Sequence, residues 1–135
     1  MITTLADSNV LIDVISADAA WSDWSTRALA AAADRGTIVI NTMIYVEVSI
    51  GFERIEDCDA AFDSAGLRRQ PIPSPPAFLA AKAFLAYRKR GGMKQAPLPD
   101  SLIGAHASVC GLRLLTRDPA RFRTYFPRVD LLSPQ

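Results

Sequence analysis

The feature that most restricts this chain is alternation. Short apolar runs of strand length are each followed by cap residues and a longer helical segment. Residues 2–6 lead into Asp7-Ser8-Asn9 and then Val10-Leu11-Ile12. Thr37-Ile38-Val39-Ile40, rich in β-branched residues, leads into Asn41-Thr42 and a helix to about Gly51. Residues 112–116 lead into a short helix over 119–125, and residues 129–132 form a last strand. Between these lie a helix over 21–35 with Gly36 at its C′ position, a more polar helix over 53–65 and a weak strand over 67–72. The prolines at 71, 73, 75 and 76 mark a helix start, with Ser74 as N-cap and the helix running over 76–89. One side of that helix is apolar, with Phe78, Leu79, Ala83 and Leu85. After a basic loop, Leu98-Pro99-Asp100 opens a helix that ends at Gly111. Strands alternating with helices predict an α/β fold: a parallel sheet with helices on both faces, binding ligands beyond the carboxyl ends of its strands.

At 135 residues, half of them hydrophobic, the chain suits one domain over 1–135 with a true core. The longest purely apolar run, residues 28–33, is far too short to span a membrane. Met1-Ile2-Thr3-Thr4-Leu5 lacks the basic region and cleavage site of a signal peptide, so a cytoplasmic protein is expected. Cys58 and Cys110 form no C-x-x-C pair and read as reduced, packed thiols. The net charge of +1 hides an asymmetry. Residues 1–67 carry three arginines against 11 acids, net −8, and residues 68–135 carry 12 basic residues against three acids, net +9. Either the basic half meets a polyanion, or the fold intermixes the halves.

Four acids stand out on this scheme. Asp7 follows the first strand directly, and Asp118 lies two residues past the strand ending at Thr116. Both therefore map to the carboxyl edge of the sheet. Asp100 sits at a helix N-terminus, where an N-cap role is the plain alternative. The helix that follows, residues 101–110, has no formal charge, which places it centrally. Glu47 lies in Met43-Ile44-Tyr45-Val46-Glu47-Val48, where nearly every neighbour is apolar. A lone carboxylate there needs a positive partner, either an arginine or a metal ion. Were all four acids to converge at about 5 Å, each pair would repel by roughly 3 kcal/mol at an effective dielectric of about 20. A divalent cation relieves that conflict. Carboxylate oxygens suit Mg²⁺ or Mn²⁺, whereas zinc prefers His and Cys.

The motifs around these acids are Leu5-Ala6-Asp7-Ser8-Asn9-Val10-Leu11-Ile12, Tyr45-Val46-Glu47-Val48, Leu98-Pro99-Asp100-Ser101-Leu102-Ile103-Gly104-Ala105 and Leu114-Leu115-Thr116-Arg117-Asp118. In order and spacing they resemble those of PIN-domain nucleases, in particular the VapC-type toxins of bacterial toxin–antitoxin pairs. The resemblance implies a three-layer α/β/α fold around a short parallel sheet, and Mg²⁺- or Mn²⁺-dependent hydrolysis of RNA. It makes Asp7 and Asp100 the direct metal ligands, with Glu47 and Asp118 completing the site through water. Asn9 and Thr116 match positions that support the acids by hydrogen bonding. The fourth acid of the family is often Asn, which makes Asp118 the softest match. The resemblance also implies a homodimer held inactive by a cognate antitoxin whose tail covers the cleft.

Two other readings compete. An aspartyl-nucleophile phosphohydrolase would want a second Asp two positions after Asp7, where this chain has Asn9. A non-catalytic PIN-like module that binds RNA or protein would tend to lose acids, and this chain has all four. The single histidine, His106, reads as structural or supporting. Asp13 and Asp18 read as solvated, and Asp130 as a surface residue of the last strand. The basic residues Arg88, Lys89, Arg90 and Lys94 either contact RNA phosphates or are simply solvated. Arg117, Arg121 and Arg123, around Asp118, either clamp a phosphate or offset the acids. Trp21 and Trp24 are core residues or partner anchors.

Overall fold

In the computed structural model, described over residues 1–91 and 98–134, the expected alternation is realised with shorter strands. Lys94 of the basic loop lies outside these residues. Strand β1 (Thr4–Ala6) leads through helices α1 (Ser8–Ile15) and α2 (Ser22–Arg35) to β2 (Ile38–Ile40). Helices α3 (Thr42–Ser49) and α4 (Ile55–Ser64) lead on to β3 (Arg68–Arg69). Then come α5 (Ser74–Lys89), α6 (Leu98–Cys110), β4 (Arg113–Leu115), α7 (Ala120–Arg123) and β5 (Leu131–Leu132).

Among the described residues the strands form one parallel sheet, in the order β3-β2-β1-β4-β5. Leu5 pairs with Val39 on one side and Leu114 on the other. The chain steps outward from β1 to β3, then returns to the other side of β1 for β4 and β5. Right-handed crossovers in two opposite directions put helices on both faces of the sheet. Burial agrees, since every residue of β1 and β2 is buried. Leu5, Ile40, Ile44, Phe62, Ile103, Leu114 and Phe122 form the centre of the core. No helix among the described residues is long and apolar enough to cross a membrane.

Several boundaries differ from the sequence expectation for physical reasons. The weak strand over 67–72 shrinks to Arg68–Arg69, because Pro71 and Pro73 offer no N–H to a ladder. Ser74 is the first helical residue of α5 rather than its N-cap, and no side chain caps this end. The first-turn N–H groups have no intrahelical acceptor, so prolines there cost little. Only Pro76, Ala80 and Ala83 of α5 are buried. These small residues let it lie along α6, while Phe78, Leu79 and Leu85 stay exposed. Gly36 does not close α2 in a left-handed conformation. Its backbone is extended, and glycine is needed because a Cβ would collide with the backbone of Ile2.

Candidate active site

The strand order reverses between β1 and β4, and α/β sheets open a crevice at the carboxyl ends of strands at such a point. Asp7 follows β1 there, and Thr116 follows β4. Asp7 is buried and serves as the N-cap of α1, with its Oδ1 accepting from the Ser8 N–H at 2.8 Å. Its Oδ2 accepts from the Thr116 hydroxyl, also at 2.8 Å. The Thr116 Oγ1 in turn accepts from the Asp118 N–H at 3.0 Å and lies 3.5 Å from the Asn9 amide nitrogen. The Asn9 Oδ1 accepts from the Arg117 N–H at 3.3 Å. Thr116 and Asn9 thus tie the end of β4 to the start of α1.

Glu47 reaches the same edge from α3, where it is half-buried. Its Oε1 accepts from the Ser8 hydroxyl at 2.9 Å. Ser8 therefore touches two of the acids, Asp7 through its N–H and Glu47 through its Oγ. No sequence argument had singled it out, since its only signal is its place beside Asp7. Asp100 stands in the first turn of α6 rather than at its N-cap. Arg121 of α7 lies between Asp100 and Asp118, with its Nη1 3.5 Å from one carboxylate and its Nε 3.4 Å from the other. Asp118 is half-exposed at the rim.

Three of these carboxylates hold protons more tightly than usual. Burial pushes Asp7 up to about 6, against the lowering hydrogen bonds from Thr116 and Ser8, and the charges of Glu47 and Asp100 add to the rise. Glu47 is raised by burial and by Asp100, against its bond from Ser8. Asp100 is raised by burial and by Asp118, while Arg121 pulls it down. Among the described residues, no cation forms an ion pair with Asp7 or Glu47. The donors are all oxygens, as a hard divalent cation prefers, and the uncompensated charge is of the sign it would neutralise. As the side chains stand, no three acids, His or Cys among the described residues lie close enough together to hold a metal ion. The chemistry of the set fits a metal, and engaging one calls for carboxylate side chains to draw together.

Residues 4–127 of the chain match the PIN domain family. The chain belongs to the PIN domain family. Its fold is similar to that of a chain in the VapBC2 structure from Rickettsia felis bound to a promoter DNA fragment, with a TM-score of 0.74, 18% identity and 98% of each chain covered. DNA-bound VapBC from Salmonella typhimurium aligns over 98% of each chain with a TM-score of 0.71 and 16% identity. A toxin–antitoxin complex from Klebsiella pneumoniae aligns over 98% of each chain with a TM-score of 0.67 and 22% identity. No curated protein sequence matches the chain.

Some other features of this PIN domain depart from the sequence expectations, and others agree with them. Asp13 is not solvated but buried on α1. It accepts from Arg117 through both oxygens, at 2.9 and 3.0 Å, and from the Ser25 hydroxyl at 2.8 Å. A buried carboxylate in an apolar helix needs such a partner, and 104 residues separate the two in sequence. Arg117 is thus committed to Asp13, with its guanidinium 5.2 Å from the centroid of Trp21. Trp21 and Trp24 meet edge to face and are half-buried. Asp18 accepts from the N–H groups of Ala20 and Trp21 ahead of α2. Asp130 is exposed just before β5 and pairs with Arg113.

His106 is wholly buried on α6, and its Nδ1 lies 3.1 Å from the Asn41 amide nitrogen. Asn41 caps α3 by accepting from the Ile44 N–H through its Oδ1. Its NH₂ therefore faces the imidazole, an arrangement in which Nδ1 accepts and the proton sits on the buried Nε2, which has no partner among the described residues. Burial likewise lowers its pKa. This contact links the helix of Glu47 to the helix of Asp100.

Proposed function

We propose that this PIN-domain protein is a metal-dependent endoribonuclease and the toxin of a toxin–antitoxin pair, acting in the cytoplasm. The observation that carries the reading is the gathering of Asp7, Glu47 and Asp100 at the sheet's reversal point. Each is driven toward protonation by burial and by its neighbours' charge. Such an arrangement weakens a resting fold and suits a site completed by a cation. The family match and the similarity of fold to VapBC structures support the same reading.

On this proposal Asp7 and Asp100 hold Mg²⁺ or Mn²⁺ directly, and Glu47 and Asp118 hold it through water. The bound cation supplies an activated water and neutralises charge on the scissile phosphate. The protein's own groups do the rest. Ser8 and Thr116 fix the Asp7 carboxylate from two sides and keep both oxygens in one orientation. Asn9 and Thr116 hold the loop that carries Asp118. Arg121, exposed and loosely shared between Asp100 and Asp118, is the cation placed to meet a substrate phosphate. Partners on this reading are an RNA substrate, a second copy of the chain and a cognate antitoxin.

The test is to incubate the purified protein with RNA in Mn²⁺, in Mg²⁺ and in EDTA, alongside Asp7→Asn and Asp100→Asn. Cleavage is expected only with the cation and only in the unaltered protein. Cleavage that survives EDTA, or that ignores both substitutions, would overturn the metal mechanism. Absence of cleavage with intact RNA binding would favour a non-catalytic PIN-like module instead.

A further inference from the structure

Glu47 and Asp100 line a cavity of about 500 Å³ bounded by α3, α5, α6 and α7. Aromatic side chains line it too: Tyr87 from α5, and Tyr125 and Phe126 from the segment after α7. Arg121 lines the same space. Tyr87 and Tyr125 are half-buried and Phe126 is almost wholly buried, so the wall is held by the core behind it. The Arg90 guanidinium lies 5.8 Å from the centroid of the Tyr125 ring. No step assigned to the acids uses these rings.

We infer that this cavity is a subsite for one unpaired nucleobase beside the scissile phosphate, with Tyr87 and Tyr125 as its stacking surfaces. The inference rests on the nuclease reading and adds to it a site for one base. A phosphate held at the acids leaves its flanking base within reach of the adjoining cavity. Aromatic rings accept any base face, whereas hydrogen-bond readout would require polar groups aimed at the base edge. The half-buried rings exclude a base that is paired and stacked within a helix, since an A-form duplex keeps its base faces covered. Arg121 places positive charge on the wall itself, and Arg90 places a second beside the Tyr125 ring, where the backbone of an extended strand would pass.

The test uses a short single-stranded RNA and the full chain carrying Asp7→Asn, so that the strand survives. Asp7 does not line this cavity. Each base is removed in turn, and affinity is measured by anisotropy. One position is expected at which base removal weakens binding by about tenfold or more. Tyr87→Leu and Tyr125→Leu, which keep apolar volume but lose the aromatic face, should weaken binding of the intact strand and shrink that penalty. Tyr87→Phe and Tyr125→Phe should retain it. Equal penalties in all proteins, or Phe variants that behave as the Leu variants do, would overturn the subsite. If the unaltered chain fails to cleave RNA while the ring-dependent penalty persists, the nuclease reading fails and the base site stands.

Discussion

The weight of the site rests on Asp7. With a pKa of about 6 in the fold against an ordinary 3.8, its protonated form favours folding. That contribution is complete below about pH 3.8 and is lost as pH rises through 6. Metal-free Asp7→Asn, neutral at every pH and an equally good cap, should therefore gain stability over the unaltered protein as pH rises from 4 to 8. The gain should reach several degrees in melting temperature by pH 8, and Mn²⁺ should narrow it by stabilising only the unaltered protein. A difference that stays flat with pH would mean that Asp7 is not held in this strained state. Thr116→Val removes the hydroxyl that both supports Asp7 and receives the Asp118 N–H. It should lower stability by about 1–3 kcal/mol, read from denaturant midpoints. Glu47 was legible in the sequence because a carboxylate among apolar neighbours is conspicuous. Ser8 was not, because a serine beside an N-cap is common and its bond to Glu47 spans 39 residues.

At the scale of elements, two contacts hold the site's frame. Gly104 on α6 faces the Phe126 and Phe122 rings, and an added Cβ would overlap Phe126. Gly104→Ala should cost about 1–3 kcal/mol in unfolding free energy, despite alanine's better helix propensity. The second contact is the Asp13–Arg117 pair, which ties α1 to the end of β4. Arg117→Ala leaves Asp13 buried without its partner and should cost about 3 kcal/mol or more. Adding Asp13→Ala should recover part of that loss, as a double-mutant cycle of chemical denaturation would show. The existence and order of the helices could be read from their caps and periodicity. Asp13 was misread because the i, i+3 pattern of α1 gives no sign of a partner from β4. The strand lengths were misread because apolar runs continue beyond the ladder, and prolines cut β3 short.

Across the whole molecule, the alternation of strands and helices in the sequence implied a parallel sheet, and the reversal at β1 supplies the crevice. The two oppositely charged halves meet at several points of the fold. Asp13 pairs with Arg117 and Asp59 with Arg69, so part of the asymmetry cancels internally. Arg88, Lys89, Arg90, Arg123 and Arg128 remain exposed. RNA binding should accordingly weaken steeply with salt, and Arg88→Ala with Lys89→Ala should reduce the slope of log affinity against log salt by up to about 2. On the proposed function, the buried, mutually repelling carboxylates become a catalyst when a divalent cation joins them. The most direct test of this is the rate of RNA cleavage against Mn²⁺ concentration for the unaltered protein, Asp7→Asn and Asp100→Asn. A saturating rise in the unaltered protein, reduced at least about a hundredfold in both variants, is the expected result. A rate independent of Mn²⁺, or equal in the three proteins, would contradict it.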